Sequence, residues 1–306
     1  MPLPQPIPYQ GSKRRQVKVL LEYFPGDTQT LWEPFVGSGA TTIGAAVAGA
    51  ARHFVLSDSL APLVGIWAMI LQTPEELVAA YTRLWQAQHE DPRAAYDAVR
   101  AAFNQHQEPA QLLYLLTRCV KNSPRFNREG LFNQSPDNRR LGMRPAVLQE
   151  RVARVHSYLN DRCSSFVGDY SRALALAQPG DLVYLDPPYM GVSGGRDGRY
   201  HQGLDYERFV AELLQANRRN LSYMVSFDGR CGDRSYGPGL PASLGLHKRE
   251  LHLGRSSQAT LNGRVEETVE SLYLSPALVQ RLDLSRLSFN SHASHSALHS
   301  PLGSAG

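Results

Sequence analysis

Asp186-Pro187-Pro188-Tyr189 carries the residue types in this 306-residue chain best suited to chemistry. A carboxylate, two rigid residues without N–H groups and an aromatic ring together can grip a planar amine. The preceding run Gly180-Asp181-Leu182-Val183-Tyr184-Leu185 reads as a short, fully buried strand entered from a Pro-Gly turn. The tetrapeptide therefore falls where that strand ends, at the edge where open α/β sheets place their ligands. Taken alone, the string also fits a strand-ending turn with Asp186 as a cap.

A second group lies upstream. Glu33-Pro34-Phe35-Val36-Gly37-Ser38-Gly39 offers glycines for close backbone approach. It is neither the Gly-x-Gly-x-x-Gly fingerprint nor a phosphate-binding loop with Gly-Lys-Ser/Thr. Asp58 follows Gly39 at about the 20-residue spacing of an acid that binds ribose hydroxyls. A ribose reader without a diphosphate reader points to an adenosyl compound such as S-adenosylmethionine. A βα turn needs glycine in any case, so the loop by itself is a weak signal.

The elements that must position these residues follow from periodicity. Leu31 to Phe35 reads as a strand, Ala40 to Gly49 as a small apolar helix, and Arg52 to Asp58 as a second strand, a βαβ opening. From about Leu60 to Gln107 the pattern is helical, with a fresh start at Pro74. Further helices are expected from Pro109 to Lys121 and from Pro145 to Asn160, separated by the polar stretch Asn122 to Arg144. Consecutive helices without strands do not fit a regular alternation. The expected organisation is a catalytic domain of residues 1–61 and 161–284, a helical insert at 62–160 and a disordered tail at 285–306. Within the second catalytic segment, strands are expected at Ser165–Asp169, Leu221–Phe227 and Thr268–Leu274, and helices near Arg172 to Ala177 and from Tyr206 to Asn217. Gly191 to Tyr200 is glycine-rich and suits a loop closing over the site or a plain connector. Gly254 to Arg264, polar and basic before an expected edge strand, suits a loop facing a polyanionic partner or an ordinary surface loop.

Composition bounds the function classes. A hydrophobic share of 42% with 20% charged residues is that of a soluble globular protein. No apolar run spans a bilayer and no signal-peptide pattern opens the chain, so no membrane role and a cytoplasmic location are expected. Cys119, Cys163 and Cys231 are too scattered for a disulfide framework or a metal site, and no metal is expected. A net charge of +4 and a pI near 9.0 permit a polyanionic partner without requiring one. Basic residues gather at Lys13 to Lys18 and again between Lys121 and Arg144.

Taken together, Tyr9-Gln10-Gly11-Ser12-Lys13, Trp32 to Gly39, Leu56-Ser57-Asp58, Arg125-Phe126-Asn127 through Phe132-Asn133, and Asp186 to Tyr189 resemble the Dam-type (alpha-group) site-specific DNA adenine-N6 methyltransferases. The order of the segments matches as well, over roughly residues 7 to 275. One departure is Ser12, which stands where that family has the second glycine of an aromatic-x-Gly-Gly-Lys start. The resemblance implies an α/β, Rossmann-like, S-adenosylmethionine-dependent methyltransferase fold with an inserted helical target-recognition subdomain. It implies that Tyr9 and Lys13 flank the methionine end of the cofactor and that Asp58 binds the ribose. Asp169 would accept from the cofactor's adenine amine, Asp186 would lie beside the sulfonium, and Glu33, Phe35, Gly37 and Gly39 would complete the cofactor set. Double-stranded DNA is the implied partner, with a cognate restriction endonuclease or a phage setting as implied contexts. Arg125, Asn127, Arg128, Asn133 and Arg139 are the right types for base edges or phosphates. Phe126 and Phe132 are expected in the core of the insert rather than as wedges between bases.

The implied chemistry follows from adenine. Its N6 lone pair is delocalised into the ring and is a poor nucleophile. Asp186 and the carbonyl of Pro187 would accept the two N6 hydrogens and free the lone pair. The base must leave the duplex to be reached, and Tyr189 would stack on it. Transfer to cytosine N4, transfer to RNA, and a cofactor-sensing DNA-binding protein without turnover remain the alternatives at this stage.

Overall fold

A computed structural model describes residues 2–188, 204–231, 234–236, 239–255 and 267–282. Tyr189, the Gly191 to Tyr200 loop, residues 256–266 and the tail beyond 282 lie outside the described residues. The expectations for them, Tyr189 as a stacking ring and a disordered 285–306 tail included, therefore have no structural counterpart below.

Five strands lie parallel in the order β3 (Cys163–Val167), β2 (His53–Asp58), β1 (Thr30–Pro34), β4 (Leu182–Leu185) and β5 (Tyr223–Cys231). Two antiparallel strands extend the sheet: β8 (Glu267–Leu274) beside β5, then β7 (His247–Arg255) beside β8, while the short β6 (Arg234–Tyr236) also pairs with β5. The fold is the expected Rossmann-like α/β sheet. Its strand order reverses between β1 and β4, and at that switch point the carboxyl ends of neighbouring strands part to leave a crevice. All four residues of β4 are buried, as a central parallel strand covered on both faces requires. Alternation sends Leu182 and Tyr184 to one core cluster and Val183 and Leu185 to the other.

The helices are α1 (Val17–Leu20), α2 (Ala40–Ala48), α3 (Ala61–Gln72), α4 (Pro74–Ala87), α5 (Pro92–His106), α6 (Pro109–Arg118), α7 (Pro145–Leu159), α8 (Tyr170–Leu176), α9 (Tyr206–Arg218) and α10 (Pro276–Arg281). Proline stands in the first turn of α3, α4, α5, α6 and α7, where its missing N–H costs nothing. The starts at Pro74, Pro109 and Pro145 are legible in the sequence for that reason, while the run expected from Pro74 to Gln107 is broken into α4 and α5 at Pro92. The consecutive helices α4 to α7 do not form a separate core. Leu77, Tyr81, Phe103, Leu113 and Val152 belong to the same apolar cluster as Leu31 and Phe54 of the sheet.

Two features depart from the sequence reading. The strand expected at an edge, β8, is paired on both sides, and β7 is the edge. The sequence of β7, HKRELHLGR, is too charged to read as a strand, yet charge on an edge strand is the usual guard against unwanted pairing. Inside the polar stretch, Phe126 and Phe132 bridge antiparallel, with Asn127 N–H donating to Leu131 O at 2.9 Å and Asn133 N–H to Arg125 O at 2.9 Å. A small hairpin therefore stands where only a helix break was expected.

Candidate active site

The loop after β1 is built on unusual backbone. Phe35, Gly37 and Gly39 have φ of 63°, 46° and 59°, in the left-handed region that costs a non-glycine residue. At Gly39 a Cβ would stand 2.3 Å from Cζ2 of Trp67, so only glycine fits under the indole. Trp67 Nε1 donates to the Gly37 carbonyl at 3.3 Å, and Ser38 and Ser12 hydroxyls are bonded at 2.8 Å. Ser12, the residue that departs from the family's glycine, thus ties the N-terminal motif to this loop. The ring of Tyr9 lies against Gly37. Glu33 is turned toward the start of α2, where its carboxylate accepts the Thr42 N–H at 2.8 Å and satisfies a donor that the helix itself leaves open. Burial pushes the Glu33 carboxyl up to about 7 against the Thr42 hydrogen bond.

Asp186 sits directly beyond β4 on the face shared with Tyr184. Lys13 Nζ lies 2.7 Å from Asp186 Oδ1 and 3.1 Å from Glu270 Oε1. Lys13 and Glu270 are buried. Burial disfavours the Lys13 ammonium, but the carboxylates of Asp186 and Glu270 outweigh it and its pKa rises. Burial raises Asp186 to about 6, with Lys13 pulling it down and Glu270 pushing it up. Beneath them the Tyr184 and Ser226 hydroxyls are bonded at 2.9 Å, and burial holds the phenol well above its ordinary value.

Beside this cluster opens a cleft lined by Phe35, Asp58, Ser59, Gly168, Asp169, Tyr170, Pro188, Leu204, Asp205 and Arg208. The Phe35 and Tyr170 rings stack with centroids 5.4 Å apart. The Asp58 carboxylate accepts the Leu60 N–H at 3.0 Å. Asp169 caps α8 through Ser171 N–H and pairs with Arg208 Nη2 at 2.8 Å. Burial opposes ionisation of Asp169, but these partners win and its pKa falls. The lining suits an adenosyl group, since it combines stacked aromatic faces with two carboxylates at strand ends. Among the described residues, the buried Tyr170 hydroxyl has no hydrogen-bond partner. Arg208 is already engaged by Asp169, so the cleft presents little to attract a diphosphate.

Arg125, Asn127, Arg128, Asn133 and Arg139 are all exposed. Asn127 shapes the hairpin tip, its side-chain oxygen accepting from Glu129 and Leu131 N–H at 3.1 and 2.8 Å. Arg139 forks onto Asp137 at 2.9 and 3.0 Å. Phe126 and Phe132 are buried and meet edge to face at 5.6 Å, in the core as expected.

The fold thus brings Tyr9, Lys13, Phe35, Gly37, Gly39, Asp58, Asp169, Asp186 and Pro187 to one edge of the sheet, while Glu33, on β1, fixes the start of α2 behind that edge. Three residues escaped the sequence reading: Glu270, Tyr170 and Arg208. Only Glu270 left a trace there, as an acid in step with Leu272 and Leu274 on the buried stripe of a strand. Among the described residues, no group of three or more His, Cys, Asp and Glu side chains is arranged to hold a metal ion. No described helix is long and apolar enough to cross a membrane.

A family model described as D12 class N6 adenine-specific DNA methyltransferase matches residues 9–244. Among curated relatives, a DNA N-6-adenine-methyltransferase of Escherichia phage P1 is 26% identical over 231 residues, which cover 72% of this chain and 29% of that protein. A Type II methyltransferase of Lactococcus lactis subsp. cremoris is 24% identical over 279 residues, 87% of this chain and 94% of the relative. A DNA adenine methylase of Vibrio cholerae is 23% identical over 230 residues, covering 72% and 79%.

Proposed function

The chain belongs to the D12 class of N6 adenine-specific DNA methyltransferases, and from that premise we propose that it methylates N6 of an adenine flipped out of duplex DNA, at a specific sequence, using S-adenosylmethionine. The observation that carries this reading is the Asp186 carboxylate at the switch point, followed by two prolines and set beside an aromatic, carboxylate-lined cleft. When bound, S-adenosylmethionine supplies an electrophilic methyl group on a sulfonium. Phe35, Asp58, Asp169 and Tyr170 would hold its adenosyl part, and Tyr9, Lys13 and the Gly37–Gly39 loop its methionine end. Glu33 supports that loop by fixing the start of α2.

The Lys13 ammonium at 2.7 Å favours the ionised form of Asp186, against burial and the charge of Glu270. Its carboxylate and the Pro187 carbonyl accept the N6 hydrogens, which draws the lone pair out of conjugation with the ring. Pro187 and Pro188 bring no N–H that would repel the amine. A proton made acidic by methylation at N6 is then within reach of Asp186. Tyr189 follows in sequence and stacks on the extruded base.

The 62–160 segment acts as the target-recognition insert, with Arg125, Asn127, Arg128, Asn133 and Arg139 facing the duplex. Asn127 spends its oxygen on the hairpin and offers its NH₂ group outward. Arg139, held by Asp137, suits a phosphate better than a base edge. The protein would act in the cytoplasm, where its DNA lies, alone or beside a restriction endonuclease.

Tritiated cofactor and duplex DNA test the proposal, with the product digested to nucleosides. The expected label is in N6-methyladenine. Label in N4-methylcytosine, transfer only to RNA, or no transfer by folded, cofactor-bound protein overturns it. Asp186→Ala should lower turnover by about a hundred-fold or more while keeping the fold, and substantial residual turnover would remove Asp186 from its role.

A further inference from the structure

The register of the far half of the sheet puts an unexpected acid at the transfer site. Val225 pairs with Leu185, the last residue of β4, so Gly229 lies beyond the end of that strand, and Glu270 pairs with Gly229. Between Phe227 and Gly229 the ladder shifts by a bulge at Asp228, whose φ is 45°. At Gly229 a Cβ would lie 2.7 Å from the Val269 carbonyl, so glycine is needed for β8 to close in. Bulge and glycine together bring Glu270 onto the face of Leu272 and Tyr184, where Lys13 and Asp186 meet.

We propose that Glu270 is a positioning residue for methyl transfer: by sharing the Lys13 ammonium with Asp186, it limits the hold of Lys13 on the carboxylate that must receive the substrate amine. This rests on the proposed function and deepens it. A buried lysine paired with Asp186 alone would compete with N6 for the same oxygens, and in a buried site such a pair is hard to open. With Glu270 Oε1 at 3.1 Å on its other side, the ammonium has a second carboxylate to rest on when the amine docks. Among the described residues, Oε2 of Glu270 is buried without a hydrogen-bond partner, so the second oxygen can take up an N–H as Lys13 shifts. Among the described residues, the charged and titratable groups facing Asp186 are Lys13 from the N-terminal segment, Glu270 from β8, Tyr184 from β4 and Glu33 from β1.

Glu270→Gln keeps the shape and removes the charge. Since the Glu270 charge raises Asp186, its removal lowers the Asp186 pKa and takes away the carboxylate that competes with Asp186 for Lys13. The expected result is a fall in kcat of about ten-fold or more with KM for DNA little changed. The acid limb of the kcat/KM profile, expected near pH 6 in the wild type, moves to lower pH. Glu270→Asp, which retains the charge but withdraws it by one methylene, should show a smaller kcat loss and a smaller limb shift, and it carries the test if the glutamine variant does not fold. Wild-type kcat and an unmoved limb in either folded variant overturn the inference. So does a loss of activity that merely tracks the folded fraction with the limb unmoved. A ¹³C-carboxylate titration of Asp186 in wild type and variants needs no turnover: a lower midpoint in Glu270→Gln supports the coupling and an unchanged one overturns it. Failure of the wild type to methylate adenine would instead sink the proposed function, and the titration would still report on Glu270.

Discussion

Glu33 gives the protein a pH dependence opposite in sign to that of a salt-bridged carboxylate. Its folded-state value of about 7 lies above the ordinary 4.5, so the native state binds a proton more readily than the unfolded chain between those values. Its contribution is therefore fully present below about pH 4.5 and is lost as pH rises through about 7. The shift corresponds to at most roughly 3 kcal/mol. Glu33→Gln keeps an acceptor for the Thr42 N–H and removes the titration. Urea unfolding at pH 5 and pH 8 should show the wild type losing more stability across that interval than the variant, and equal losses would mean that Glu33 does not titrate in this window. Asp186 has the same sign, between its ordinary 3.8 and about 6, but its ionisation is what transfer requires. The two acids share one face of adjacent strands and serve different ends. Glu33 holds the helix that supports the cofactor loop, and Asp186 meets the substrate.

At the scale of elements, the β1–α2 connection is the most constrained joint in the molecule. Three left-handed residues in the five positions from Phe35 to Gly39 turn the chain sharply enough to leave a cleft above the sheet, and Trp67 on α3 seals the turn from behind. Gly39→Ala combines a disfavoured φ with a contact no Cβ can make. It should cost about 2–4 kcal/mol, read as a lower urea midpoint with an unchanged slope, and should weaken cofactor binding. A variant of wild-type stability would show that Trp67 yields easily. The starts at Pro74, Pro109 and Pro145 were readable from their prolines, that of α5 at Pro92 was merged into the preceding helical run, and the 125–133 hairpin was not readable, because its pairing depends on two phenylalanines buried against α5 (Phe103 meets Phe132 edge to face at 6.0 Å). The edge strand β7 was hidden because its sequence is charged rather than apolar, and only its pairing with β8 marks it as a strand.

Across the whole molecule, insert and sheet share one apolar cluster, from Ile7 through Tyr81 and Phe132 to Leu278. Such continuity predicts one cooperative unfolding event rather than early loss of the insert. Single-tryptophan proteins retaining Trp32 in β1 or Trp85 in α4 should show coincident urea midpoints, and two separated transitions would show that the insert is an independent unit. The sequence by itself determined the parallel strands, the glycine loop, the helical run after the second strand and the acid-proline-proline string, because each is a local pattern written in neighbouring residues. It also carried the family, through motifs whose order survives at low identity. Only the tertiary structure decided that Lys13 and Glu270, at opposite ends of the described chain, meet at Asp186, and that Tyr170 and Arg208 line the cleft beside it. Those neighbours are set by strand order, a bulge at Asp228 and the register of β8. Register is a cooperative property of paired strands, settled by which faces must be buried together, and no single segment contains it.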